Sequence, residues 1–303
     1  MASMKRTLRW IAVAAGLAAA SAAASAADLI EQVESYYNSI FVYRSGTYVT
    51  LAFGHEGRTY LETQRNTADL LELPFPYTRR FTAAAAYAAK LERLLMVGMG
   101  GGSTSWYLHA HIPQAEVTSV ELDPEMVRLA EKYYGLKSEP NFTVEEQDGR
   151  LFLMRDENRY DVIFLDAYRG PFVPFHLLTR EFYEIVKAHL EPGGFVAQNI
   201  EPSTMLFDST YATLLSMFDT VDFYPSGGNS IAIAYDGPRR SDEELMERAR
   251  ERQAQYDFRY DLPELVASRR SHELPGEEIE VLTDDFAPVN LLQAIEVHNR
   301  KWE

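Results

Sequence analysis

Short β-prone runs alternate with amphipathic stretches along the middle of the chain. The runs fall at residues 94–98, 117–121, 142–146, 161–165 and 194–199. Between and after them the apolar positions recur at helical spacing near 103–111, 124–134, 149–156, 177–190 and 208–218. Strand–helix alternation of this kind predicts right-handed crossovers and a parallel sheet. Two further runs, 221–225 and 230–235, flank Ser226-Gly227-Gly228-Asn229 and predict a hairpin that finishes the sheet antiparallel. The expected fold class is therefore α/β, a doubly wound and mostly parallel sheet.

Upstream the pattern changes. Residues 35–51 carry Tyr36, Tyr37, Ile40, Val42, Tyr43, Tyr48 and Val49 around Ser45-Gly46, a β-hairpin pattern, and a second β-segment covers 58–64. Together they predict a small N-terminal β-domain. An alanine-rich helix is expected over 82–91. Beyond Gly237-Pro238, Ser241-x-x-Glu244 forms a capping box that opens a highly charged helix to about residue 255. The layout is a leader over 1–27, a β-hairpin domain over 28–78, a nucleoside-binding domain over 79–236 and a helical extension over 237–303.

The leader is read from its own chemistry. Lys5, Arg6 and Arg9 precede an apolar, alanine-rich run over 10–24, and Ser25-Ala26-Ala27 offers small residues before Asp28. This is a cleavable signal-peptide pattern, so the expected location is periplasmic or secreted. The other reading of the same run is a retained membrane anchor, with the folded part facing outward.

Candidate chemistry gathers at the ends of the strands, where open α/β sheets bind ligands. The first strand runs into Gly98-Met99-Gly100-Gly101-Gly102, and Glu121 closes the second strand 23 positions after Gly98. Glycines let the backbone approach a nucleoside at a helix N-terminus, and a carboxylate at that distance accepts the ribose hydroxyls. A dinucleotide fingerprint needs a third glycine where Ser103 stands. Glu121-x-Asp123-Pro124, Asp148-Gly149 after the third strand and the closing hairpin point instead to the S-adenosylmethionine-dependent methyltransferase type. Asp148 is placed to meet an adenine amino group. Asp166, ending the fourth strand, is the expected catalytic residue, accepting a proton from an attacking amine or holding it by charge. Tyr77 and Tyr168 are candidates for lining the pocket. His176, following Pro174 near the expected mouth, offers a substrate contact.

Charge and composition narrow the partners. The formal charge of −16 becomes about −19 once the three basic leader residues are set aside, which argues against nucleic acid and suits a cationic small molecule. With no cysteine, disulfides, thiol chemistry and thiolate metal sites are excluded. His109 and His111 lie on the expected outer half of the first core helix without a third ligand, so no metal is expected. Asp284 and Asp285 read as a turn.

From residue 35 to about 200 the chain resembles the spermidine synthase (polyamine aminopropyltransferase) family, and within it a divergent bacterial spermidine-synthase-like subgroup. Ser35-x-Tyr37-Asn38-x-Ile40 is similar to the family's opening Ser-x-Tyr-Gln-x-Ile. The glycine loop, Glu121-x-Asp123, Asp148-Gly149, Asp166 and Leu178-Thr179-Arg180-Glu181-Phe182-Tyr183 match in order and spacing. Glu191-Pro192-Gly193-Gly194 resembles Lys-Pro-Gly-Gly, and Thr283-Asp284-Asp285 with Pro288-Val289 is similar to the subgroup's tail. The resemblance implies transfer of an aminopropyl group from decarboxylated S-adenosylmethionine to an amine. It implies cofactor contacts from Gly98, Gly100, Gly101, Glu121, Asp148, Gly149 and Gln64, a base at Asp166, and substrate-side roles for Asn38, Tyr77 and Tyr168.

The departures from the family matter. Gly101 stands where the family's loop has an Asp that meets the ammonium of the aminopropyl arm. Asp-Ser-Ser-Asp-Pro becomes Asp166-Ala167-Tyr168-Arg169-Gly170, and Tyr-His-Glu becomes Tyr77-Thr78-Arg79. Two amine-holding carboxylates are gone and two arginines are expected near the mouth. Each lost charged hydrogen bond would cost a diamine about 1–3 kcal/mol, while intact S-adenosylmethionine, with its own carboxylate, fits Gly101 better than Asp. The alternatives are thus a methyltransferase using S-adenosylmethionine, or an exported, non-catalytic nucleoside- or polyamine-binding protein. The expected partner is a small-molecule amine, and homo-oligomer formation is left open.

Overall fold

The computed structural model describes residues 27–285, apart from 56, 171 and 275–278. The expected leader, but for its last residue, and the tail beyond Asp285 lie outside the described residues. Four antiparallel strands open the fold: β1 Asp28–Glu34, β2 Ser39–Ser45, β3 Tyr48–His55 and β4 Arg58–Asn66, paired in that order. The expected hairpin is β2–β3. Strand β1 escaped the sequence reading because its side chains are largely exposed and its apolar residues, Leu29, Ile30 and Val33, do not alternate.

Seven strands build the main sheet in the order β10-β11-β9-β8-β5-β6-β7. They are β5 Arg93–Val97, β6 Glu116–Glu121, β7 Phe142–Glu146, β8 Tyr160–Leu165, β9 Leu190–Ile200, β10 Thr220–Pro225 and β11 Ser230–Tyr235. Strands β5 to β9 pair parallel, and β11 runs against both its neighbours, β9 and β10. After β5 the chain moves outward to β6 and β7, then returns to place β8 on the other side of β5. The strand order therefore reverses between β5 and β8, which opens a crevice beyond their carboxyl ends.

The crossover helices are α2 Ser103–His111, α3 Pro124–Tyr134, α4 Gly149–Arg155, α5 Arg180–Ala188 and α6 Phe207–Met217. The helix expected over 177–190 is shorter at both ends. A 3-10 turn, Phe175–Leu177, precedes it, Thr179 caps it by accepting from the Phe182 N–H, and β9 begins at Leu190. The alanine-rich helix expected over 82–91 is replaced by α1 Pro76–Phe81 and a 3-10 turn, Thr82–Ala86. Alanine propensity is overridden here by packing. Ala83 to Ala86 are buried in the core, and Tyr87 is drawn to a hydrogen bond from its hydroxyl to Asp222, 2.8 Å away. In the extension, α7 Asp242–Tyr256 starts at Ser241, which accepts from the Glu244 N–H as the capping box requires, and α8 Leu262–Ala267 follows.

The N-terminal sheet sits on α3. Ile40, Val42, Val49 and Leu51 pack with Met126 and Leu129, and the buried Tyr134 hydroxyl donates to the main-chain carbonyls of Val49 and Thr63. Glu31 accepts from Arg128, Lys132 and Tyr133, whose hydrogen bonds, that of Lys132 foremost, hold its carboxyl down at about 2. This seating brings β4 and the 35–38 turn over the crevice.

Candidate active site

A cavity of about 120 Å³ occupies the crevice. The glycine loop forms its floor. Gly98 has φ 86° and lies so close to the end of β8 that a Cβ would stand 2.4 Å from the Asp166 carbonyl oxygen. Only glycine satisfies both demands. The Gly100 N–H donates to Glu121 Oε2 (2.8 Å) and the Asp123 N–H to Glu121 Oε1 (3.1 Å). Burial pushes the Glu121 carboxyl up to about 7 against those two hydrogen bonds. Gly149 opens α4 hard against Val97 and lines the same cavity.

Gly101 departs from expectation. It does not line the cavity; a Cβ there would lie 2.1 Å from Tyr134 Cε2 and 2.8 Å from Thr63 Oγ1. The missing acid is therefore compensated by an aromatic ring that fills its space, and the advantage expected for intact S-adenosylmethionine at Gly101 has no steric basis. Restoring the acid with Gly101→Asp is expected to destabilise the fold by about 1–3 kcal/mol through overpacking. A urea titration checks this, and the variant should not bind an amine-armed nucleoside more tightly.

The remaining candidates surround the cavity from four directions. Gln64 reaches it from β4, its amide donating to Thr50 Oγ1 (2.9 Å). Asn38 lines it from the 35–38 turn, and its amide donates to Asp123 Oδ2 (3.1 Å). Ser35 holds that turn, accepting from the N–H groups of Tyr37 and Asn38 and donating to the same Asp123 oxygen. Asp148 is the N-cap of α4; its Oδ1 accepts from the N–H groups of Arg150 and Leu151. Its Oδ2 lies 2.8 Å from His176 Nε2. Burial opposes ionisation of Asp148, yet the His176 contact and the helix N–H groups hold its carboxyl below the usual range. Because a carboxylate only accepts, His176 donates to it.

Asp166 sits where the cavity meets a second, wider groove. Tyr77, Tyr168, Phe75 and Glu62 line both spaces, and the groove continues past Asn199 and Glu201 to the turn between β10 and β11. Asn199 donates to Asp166 Oδ1 (2.7 Å), and Asn229 in that turn donates to the side-chain Oδ1 of Asn199 (3.1 Å). Burial raises the Asp166 carboxyl to about 7, opposed by hydrogen bonds from Asn199 and Tyr77. Burial first, and Asp166 next, push the Tyr77 and Tyr168 hydroxyls well above the ordinary phenol, so both stay protonated donors. Both raised carboxyls, Asp166 and Glu121, favour proton uptake in the folded state. Their contribution to stability is complete below the ordinary carboxylate range and is lost as pH rises through about 7.

Sequence reasoning missed Asn199, Glu62 and Glu201. Asn199 had a usable signal, a polar residue at the carboxyl end of a core strand; the two glutamates had none, since their strands had to be folded together first. Only one of the two arginines expected at the mouth is there. Arg169 lines the cavity rim and donates to the Tyr37 carbonyl (3.0 Å). Arg79 turns away to the carbonyls of Leu73 and Pro74 and lies over the Tyr260 ring. His109 and His111 are packing residues: His109 lies against Trp106 and Phe142, and His111 against Tyr107 and Phe258.

Reversed strand order, a glycine turn and three strand-end acids define a doubly wound fold of the S-adenosylmethionine-dependent methyltransferase type. A methyltransferase-domain family profile matches residues 94–194. The polyamine aminopropyltransferase of Vibrio vulnificus is 28% identical over 275 residues, covering 88% of this chain and 91% of that protein. The solved spermidine synthase of Thermotoga maritima superposes with a TM-score of 0.64 at 21% identity, over 80% of this chain and 84% of that one. Human methyltransferase-like protein 13, solved with SAH, superposes at 0.55 with 23% identity, over 72% and 99%. The two structural likenesses speak for the fold. The chain is thus similar to spermidine-synthase-like transferases along most of its length.

Proposed function

We propose that this protein transfers an aminopropyl group from decarboxylated S-adenosylmethionine to a small-molecule amine. The observation that carries the reading is the place of Asp166: a carboxyl tuned to about 7, flanked by Tyr77 and Tyr168, where the cavity and the acid-lined groove meet. In this reading Glu121 takes the ribose hydroxyls and Asp148 the adenine amino group, with Gly98, Gly100, Gly149 and Gln64 around them. The acceptor amine enters from the groove side past Glu62 and Glu201. Its nitrogen lone pair forms a bond to the carbon beside the sulfonium sulfur. The carbon–sulfur bond breaks, its electron pair leaves with methylthioadenosine, and the amine proton passes to Asp166.

A base acts only when deprotonated. The logarithm of kcat/KM is therefore expected to rise with pH at unit slope and level off near pH 7 as Asp166 ionises. Initial rates across pH 5–9 check this, and a limb unchanged in Asp166→Glu would remove the assignment.

Arg169 favours a second reading, methyl transfer from intact S-adenosylmethionine, because a guanidinium at the cavity rim suits a carboxylate-bearing arm. Product analysis separates the two. Methylthioadenosine formed from the decarboxylated donor supports aminopropyl transfer, and S-adenosylhomocysteine formed from the intact donor supports methyl transfer. Action outside the cytoplasm is part of the proposal, resting on the leader pattern of residues 1–27. Recovery of the mature chain from the periplasm or medium tests it.

A further inference from the structure

The described segment 279–285 lies far along the chain from the cavity but ends beside its nucleobase side. Leu282, almost wholly buried, donates its N–H to Thr213 Oγ1 (3.0 Å) and accepts from the Arg180 N–H (2.8 Å). The next residues then turn, and the Asp284 N–H donates to Glu181 Oε2 (2.9 Å). The Asp284 carboxylate accepts from Thr179 Oγ1 (2.7 Å) and forms a two-pronged pair with Arg150, Nη1 on Oδ1 (2.8 Å) and Nη2 on Oδ2 (2.5 Å).

Arg150 carries that anchorage to the site. Its Nη1 also donates to the main-chain carbonyl of His176 (3.1 Å), and its own N–H donates to Asp148 Oδ1 (3.0 Å). The His176 ring returns to Asp148 Oδ2 (2.8 Å), closing a ring of contacts through Asp284, Arg150, His176 and Asp148. Without Arg150 the 174–178 loop would lose the bond that sets the height of His176 over Asp148. A planar guanidinium gripped on two prongs by a carboxylate has little freedom left.

We propose that Asp284 is a positioning residue for nucleobase recognition: through Arg150 it holds His176 on Asp148, so that Asp148 presents a fixed, acceptor-only oxygen to an exocyclic amino group. The inference rests on the reading of Asp148 as the adenine-side residue. It assigns the C-terminal segment a part in ligand selectivity that its distance along the chain does not suggest.

Calorimetric titration of the full chain with methylthioadenosine and with methylthioinosine, which carries an oxo group in place of the amino group, tests it. The native chain is expected to prefer the amino form about ten- to hundredfold, the worth of one charge-assisted hydrogen bond. In Asp284→Ala the preference should fall toward unity while the thermal unfolding midpoint stays within a few degrees. Arg150→Met should behave alike and carries the test if Asp284→Ala fails to fold. Asp284→Asn, which keeps an acceptor oxygen, should restore part of the preference. A merely structural segment would weaken both nucleosides equally, and a preference kept in both Asp284→Ala and Arg150→Met overturns the proposal. A native chain that binds neither nucleoside, or both alike, would overturn the reading of Asp148 and the proposal with it.

Discussion

Replacing Asp166 with asparagine is expected to slow turnover by about 10²–10⁴-fold, the range of a positioned general base. Nucleoside affinity should stay within about threefold of native. The separation follows from the geometry. Asp166 lies at the junction with the acceptor groove, whereas the expected ribose and adenine contacts belong to Glu121 and Asp148 on other strand ends. An asparagine keeps an oxygen to accept from Asn199 and so keeps the local packing. Single-turnover rates and calorimetry, run on the same preparation, decide the matter. Equal losses in rate and affinity would mean that Asp166 holds the nucleoside instead of serving the amine.

Asp222→Ala is expected to destabilise the protein by about 3–5 kcal/mol, the cost of breaking one side of a buried ionic network. Asp222 is fully buried on β10 and serves four donors. Arg239 Nε reaches its Oδ1 at 2.7 Å; Tyr87, Arg269 and Tyr235 reach its Oδ2 at 2.8, 3.0 and 3.1 Å. Arg269 is itself only 5% exposed and also binds the Arg240 carbonyl and Asp242, so it ties the start of α7 and the end of α8 to the sheet. Removing the carboxylate takes one charged partner from a buried guanidinium and an acceptor from two tyrosine hydroxyls. A urea titration should show the full loss, while kcat measured well below the new midpoint should be unchanged. A loss under about 1 kcal/mol would show that solvent reaches the network and that the extension is held by its apolar contacts alone.

The order of strands and helices was legible because period-2 and period-3.6 patterns are local, and the strand-end acids were legible because chain spacing sets how far apart strand ends fall. Glu121, Asp148 and Asp166 come round one cavity for that reason. Several features were illegible because they depend on partners remote in sequence. The alanine run looks helical by propensity, but Asp222, 135 residues away, draws Tyr87 out of line. Gly101 read as room for a ligand carboxylate, and Tyr134 occupies that room. Arg79 and Arg169 looked equivalent, yet the carbonyls of Leu73 and Pro74 take one away from the mouth.

Sequence alone thus determined the doubly wound core, the glycine turn and the acids at the ends of its strands, since each follows from residues near one another in the chain. Tertiary structure decided which of those residues face the cavity, which carboxyls are driven up to about 7, and how Asp284 comes to stand behind Asp148. Burial and the approach of distant donors settle those outcomes, and neither is encoded in any short stretch of the chain.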